Sequence, residues 1–205
     1  MMTVTVFRRA SSRTERVNAG EWLVWLTVFL MLGAGLFLRG QVENRTANFN
    51  RDGVALAYPA NWTALSDEED FQILHVIDPA SSIQFPTSVR VRQIPLADLG
   101  RAAGSLGDVA LWWSTRQGQT VSLYSALQIT PAKVHDRPAI AIDYAYVPEP
   151  ALGAAAGSIP AVMRAQDLLA QQADTITVLT FEAGADIYQQ ELARWEKILA
   201  SFDVK

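Results

Sequence analysis

The sequence predicts an α+β fold: a mainly antiparallel sheet of about seven or eight strands sandwiched by helices, carried behind an N-terminal transmembrane helix. Three observations predict it. Residues 22–38, WLVWLTVFLMLGAGLFL, run for seventeen residues without a charge. Beyond residue 40, short stretches of period-two alternation recur between turns rich in Gly, Pro and Asp. Two further stretches repeat their apolar residues at helical spacing.

The apolar run comes first. At 1.5 Å per residue it covers about 25 Å, the short end of what crosses a bilayer core. Glu21 and Arg39 bracket it, and Trp22 and Trp25 stand where an interfacial aromatic belt is expected. Arg8, Arg9, Arg13 and Arg16 precede it against only Glu15 and Glu21, so the positive side stays in the cytoplasm. The expected division is a basic cytoplasmic N-terminus (residues 1–21), a single plasma-membrane span (22–38) and an extracytoplasmic domain (39–205). A cleaved signal peptide needs small residues just after the apolar stretch. Here Gly33, Ala34 and Gly35 are followed by Leu36, Phe37, Leu38 and Arg39. An uncleaved signal-anchor is therefore the expectation, with a cleaved signal and a buried soluble helix as the alternatives.

Charge and cysteine usage narrow the chemistry. The chain has 205 residues, no cysteine and a net charge of −4. Residues 1–40 carry +3, and residues 41–205, with 12 basic and 19 acidic groups, carry −7. An acidic domain has no bulk attraction for nucleic acid or anionic lipid. Without cysteine there is no disulfide framework, thiolate nucleophile, cysteine-held zinc or iron–sulfur cluster. A disulfide-free exported domain points to a bacterial envelope.

The elements follow in order. Residues 44–50 and 54–58 read as a hairpin about Arg51-Asp52-Gly53, closed by Pro59, which cannot donate to a ladder. Strands are expected over 71–77 and 87–94, the latter with Val89 and Val91 on one face and Arg90 and Arg92 on the other. Residues 123–130 and 139–147 flank a turn at 133–138. In the second of these Ile140, Ile142, Tyr144 and Tyr146 share a face, while Ala139, Ala141 and Ala145, with Asp143, leave room for a helix on the other. Residues 162–170 and 175–181 form a last hairpin. Leu106, Val109, Ala110 and Trp113 mark a helix over about 105–117. Tyr188, Leu192, Trp195, Leu199 and Phe202 mark another, with Asp186 as N-cap and Gln189 as its capping-box partner. Residues 148–160, PEPALGAAAGSIP, have no hydrophobic period and are expected to form a surface loop.

Tyr58-Pro59-Ala60-Asn61-Trp62 after a glycine hairpin, Arg137-Pro138 at a strand turn, the hairpin within 162–181 and a closing helix with Trp195 and Ser201-Phe202 recur in this order. In order and content residues 43–203 resemble the PsbP-like domain family, related to the extrinsic lumenal subunit of the oxygen-evolving photosystem. The resemblance implies an antiparallel sheet flanked by helices and a non-enzymatic role supporting a membrane complex. It implies no catalytic residues and no cofactor. The membrane helix sets this chain apart from the soluble members and favours a permanent tether.

The residues that could carry chemistry each have a plainer reading. His75 and Asp78 have metal-like spacing, but positions i and i+3 of a strand face opposite sides. His135 and Asp136 sit in a polar turn. Asp67, Glu68, Glu69 and Asp70 form the strongest acidic cluster, without the glycine turn of a cation loop; Ser66 and Glu69 there resemble a capping box. Gly104-Ser105-Leu106-Gly107 approaches a nucleophile elbow but lacks the strand before its serine, which suits a helix N-cap instead. No Walker loop, G-x-G-x-x-G or HExxH is present. Trp113 belongs to the buried stripe, leaving Trp112 at its margin; core packing is the plainer reading of the pair, and an exposed Trp112 beside the acidic turn is the best contact candidate. Trp112 and residues Asp67, Glu68, Glu69 and Asp70 are therefore the expected interaction surface.

The functional expectation is a single-pass, membrane-anchored, non-enzymatic accessory or assembly subunit. Its extracytoplasmic domain is expected to bind proteins of a membrane complex, with no catalytic, cofactor or metal residues and no nucleic-acid partner. The alternative is an extracytoplasmic module binding a small ligand or divalent cation.

Overall fold

The computed structural model describes residues 19–43, 45–66, 70–82, 85–148 and 161–204, in two units that divide between Asn44 and Arg45. The first unit holds one helix, α1 (Ala19–Glu43). Apolar side chains on all its faces are exposed, from Trp22 at 68% to Leu38 at 61%. Trp25 and Phe29, one turn apart, tilt against each other at 6.3 Å. Among the described residues no helix is long and apolar enough to cross a membrane; the charge-free stretch itself numbers seventeen residues.

The second unit opens with the expected hairpin. β1 (Thr46–Arg51) and β2 (Val54–Pro59) pair antiparallel about Asp52 and Gly53. Both turn residues take positive φ, 51° and 75°, the backbone of a type I′ turn that matches strand twist. The Tyr58–Trp62 motif then turns the chain inward: Trp62 N–H donates to Pro59 O at 3.0 Å and the indole is buried at 6% exposure.

The main sheet has seven strands, β3 (Thr63–Ala64), β4 (Gln72–Ile77), β5 (Ser88–Pro95), β6 (Ser122–Val134), β7 (Arg137–Val147), β8 (Met163–Gln172) and β9 (Thr175–Gly184). Their order is β3-β4-β5-β9-β8-β7-β6, every pairing antiparallel. The first hairpin does not join it, which corrects the single sheet read from the sequence. It forms a separate sheet with β10 (Asp203–Val204). Two residues carry too little pattern to reveal β10, and sheet membership is a long-range property that alternation does not encode.

Helices cover the two faces of the main sheet. α2 (Leu106–Thr120) follows a 3₁₀ segment (Leu96–Gly104) and buries Val109, Ala110 and Trp113 over Ile142, Tyr144, Leu169 and Val178. α3 (Tyr188–Ser201) packs with Phe202 and the small sheet over Val89, Val91, Leu179 and Phe181. Ala139 and Ala141 lie on the α3 face, as their size requires for close approach. Ser201 ties α3 to β2, its hydroxyl accepting from Ala57 N–H at 2.8 Å.

The cap expected for α3 is corrected. The residue before the helix is Ile187, and it provides no side-chain cap. Asp186 lies one position too early, and its carboxylate folds back over Gly184: a Cβ built there would stand 2.7 Å from Asp186 Oδ1. The cap of α2 is as expected, with Ser105 Oγ accepting from Asp108 N–H at 3.1 Å and donating to Asp108 Oδ2 at 2.6 Å.

Candidate functional site

The two sheet faces differ in chemistry. Alternation along β5, β8 and β9 sends Ser88, Arg90, Arg92, Asp167, Thr180 and Glu182 to the α2 side. In register, His75, Arg90, Thr180 and Asp167 form one row across four strands. The carboxylates and the histidine are out of water, Asp167 fully buried, Glu182 5% exposed and His75 6%, while Arg90 and Arg92 are half-buried.

Glu182 is saturated by protein donors. Arg90 Nη2 lies 2.7 Å from its Oε1, Ser88 Oγ donates to the same oxygen at 2.7 Å, and Tyr146 OH donates to Oε2 at 2.8 Å. Burial alone would raise this carboxyl, but Arg90 and the two hydroxyl donors outweigh it and hold it below the usual glutamate range. Arg90 also donates Nε–H to His75 Nε2 at 3.2 Å.

Asp167 is the second centre. Trp113 Nε1–H donates to Oδ2 at 2.5 Å, with Gln117 Nε2 at 3.4 Å and Tyr144 OH on Oδ1 at 3.3 Å. Burial pushes its carboxyl up, against the pull of the Trp113 bond and of the Arg92 charge. Burial also raises the Tyr144 and Tyr146 hydroxyls, next to these carboxylates. The network thereby fixes α2 to the sheet through Trp113 and Gln117.

Where α2 meets β5 the surface opens into a cleft of about 190 Å³ lined by Asp70, Phe71, Arg92, Ile94, Trp113, Arg116, Gln117 and Thr120. Arg92 stands over the Trp113 ring at 6.0 Å. Phe71 on the rim takes φ 65°, a left-handed conformation costly for a bulky side chain, held by Gln93 N–H on its carbonyl at 2.9 Å.

Of the expected interaction residues, Trp112 and Asp70 fall within the described part of the structure. Trp112 is half-buried on the α2 core, tilted against Trp113 at 6.3 Å, with Arg116 over its ring at 5.5 Å. Asp70 is exposed and lines the cleft. Asp67, Glu68 and Glu69, and with them the Ser66–Glu69 capping box, lie outside the described residues, as does the loop from 149 to 160. His75 and Asp78 turn to opposite sides: His75 meets Arg90, while Asp78 pairs with Arg194 of α3 at 2.9 Å. His135 is exposed in the β6–β7 turn. Among the described residues no group of three or more His, Asp or Glu is placed to hold a metal ion.

Sequence reasoning missed Asp167 and Glu182. The available signal was parity: Asp167 shares its face of MRAQDLLAQQ with Met163, Ala165 and Leu169, and Glu182 shares its face of TITVLTFEAG with Ile176 and Val178, so each carboxylate falls on an apolar face.

The chain matches no protein-family model and no curated protein. Among solved structures it is similar to cyanobacterial PsbP (CyanoP) from Synechocystis, with a TM-score of 0.53 at 15% identity, over 78% of this chain and 92% of that one. It is also similar to the Ran-binding protein Mog1p of Saccharomyces cerevisiae (TM-score 0.49, 10% identity, 78% and 95% covered). A third is LpqN of Mycobacterium tuberculosis, involved in cell envelope biogenesis (0.47, 9%, 78% and 91%). At such identities the likeness is one of fold, and the fold is PsbP-like.

Proposed function

We propose that this chain is a single-pass membrane-anchored subunit whose extracytoplasmic PsbP-like domain binds other proteins of a membrane complex in an accessory or assembly role, without catalysing a reaction. The observation that carries the reading is α1: a helix whose apolar side chains are exposed on every face has no stable place in water. A run of seventeen residues suits a thin bilayer or a locally thinned one. The arginines before it orient the acidic domain outward.

The non-enzymatic part rests on how the titratable groups are used. The buried carboxylates of the α2 face are occupied by Arg90, Ser88, Tyr146, Trp113, Gln117 and Tyr144. Ser88, hydrogen-bonded to a carboxylate, is 1% exposed and out of reach of a substrate. Such a network holds a helix on a sheet and presents a rigid outer surface.

Purification of the full chain from membranes in mild detergent tests the reading. Co-elution with membrane-complex proteins in fixed ratio is expected; elution alone, at every detergent strength tried, counts against it. The cleft beside Arg92 and Arg116 favours the small-ligand alternative. Calorimetry with calcium, zinc or manganese distinguishes its metal version, which requires a saturable heat.

A further inference from the structure

We propose that the cleft where α2 meets β5 binds a small aromatic carboxylate, a role beside the protein-binding one and independent of it. An apolar cavity of about 150 Å³ takes one benzene ring. This cleft measures about 190 Å³, room for such a ring and one carboxylate.

Its lining sorts into two parts. Ile94 and Trp113, 1% and 5% exposed, make the floor and half-buried Phe71 the wall, apolar groups that suit a ring. Arg92 and Arg116 bring two guanidiniums against the single carboxylate of Asp70, and Gln117 adds an amide. In a domain of net charge −7 this local excess of positive charge runs against the trend. A guanidinium takes a carboxylate through two parallel hydrogen bonds, which a ring bearing one acid group satisfies. Asp70, exposed at the rim, disfavours a second acid group on the ligand.

The cleft is preformed. The Trp113 indole is tied to Asp167 beneath it, and the Gln117 amide lies 3.4 Å from both Asp167 and Tyr144 OH. Neither side chain has to be ordered when a ligand enters, so little of the binding energy is lost to fixing the site. Arg92 stands 6.0 Å from the centre of the Trp113 ring and Arg116 5.5 Å from that of Trp112, so indole rings steer both guanidiniums. Phe71 keeps its place at a cost. Its φ of 65° puts a bulky side chain where glycine would rest without strain, and it packs on the α2 core only in part. Strain of this kind concentrates at ligand clamps.

The test titrates the full chain in detergent with benzoate, benzamide and acetate, reading binding from the line widths of the ligand NMR signals. Saturable binding of benzoate is expected at about millimolar concentration, the range open to so small a ligand. Benzamide, which lacks the charge, and acetate, which lacks the ring, are expected to bind at least about tenfold more weakly. Arg116→Gln and Thr120→Glu change exposed positions of α2 on the cleft. Each is expected to weaken benzoate at least about fivefold, the first by losing a cation and the second by placing a carboxylate on the rim. Lys133→Gln removes the same charge beside α3 and is expected to leave binding unchanged. Benzamide or acetate binding as tightly as benzoate, equal binding by the two α2 variants and the parent, or no saturable binding overturns the proposal. Equal weakening by Lys133→Gln does so too, because it reduces the effect to net charge. None of these outcomes depends on whether membrane proteins co-purify with the chain, so failure here leaves the tethered reading as it stands.

Discussion

The two faces of the main sheet are built from the same strands and stabilised in different ways. On the α3 face, Phe181 stacks on Trp195 at 5.1 Å and 9° among valines and leucines, and the Trp195 indole donates to Gln166 at 2.6 Å. On the α2 face the same strands bury two carboxylates and two tyrosine hydroxyls, with the half-buried Arg90 on one of the carboxylates. The first face gains from apolar area, roughly 2–3 kcal/mol for a ring the size of Phe181. The second gains only while each polar group keeps its partner, since an abandoned buried charge costs more than the pair contributes. One sheet can thus hold one helix by shape and another by hydrogen bonding.

Phe181→Ala should show the largest effect, about 4 kcal/mol of lost stability by denaturant titration, because the ring is fully buried and its stacking partner cannot fill the space. Arg90→Ala should follow at about 3 kcal/mol, since Glu182 keeps two hydroxyl donors but loses its counter-charge. The two variants sharpen the contrast through acid. Loss in Arg90→Ala should shrink as pH falls and Glu182 becomes protonated, while the loss in Phe181→Ala stays level. Ser105→Ala should cost about 1 kcal/mol, the α2 cap alone.

The smallest effect is one of slope. Asp167 is raised in the folded state, so its contribution is full below the ordinary aspartate range and is lost as pH rises through the raised value. Glu182 is lowered, so its contribution is present above the ordinary glutamate range and is lost as pH falls through the lowered value. Asp167→Asn should therefore gain on the parent chain as pH rises from acid toward neutral, and Glu182→Gln should gain on it as pH falls. Parallel stability–pH curves for Asp167→Asn and the parent would show that Asp167 does not titrate differently on folding.

The α3 face was legible because its logic is local. Val89 and Val91 alternate with Arg90 and Arg92, and Ala139 and Ala141 announce a close helix, all within single strands. On the α2 face alternation set Arg90 and Arg92 together, opposite the valines, but carried no sign of what covers them. Whether Arg90 is wet depends on Glu182, ninety-two positions away in the chain and two residues along a neighbouring strand. The Ser105 cap was visible because Asp108 is three residues on, whereas the failure of Asp186 as a cap depends on its turning back to Gly184. Of the expected surface, Trp112 proved to be half in the core, since a helix margin is decided by what stands beside it.

The central claim is that residues 22–38 remain attached and hold the domain on a membrane. Alkaline carbonate extraction of cell membranes, with intact-mass measurement of the chain recovered, tests it most directly. The account predicts a chain that stays in the pellet and has the mass of a polypeptide retaining Trp22 through Leu38. A chain released to the supernatant, or one whose mass begins beyond Arg39, would contradict it.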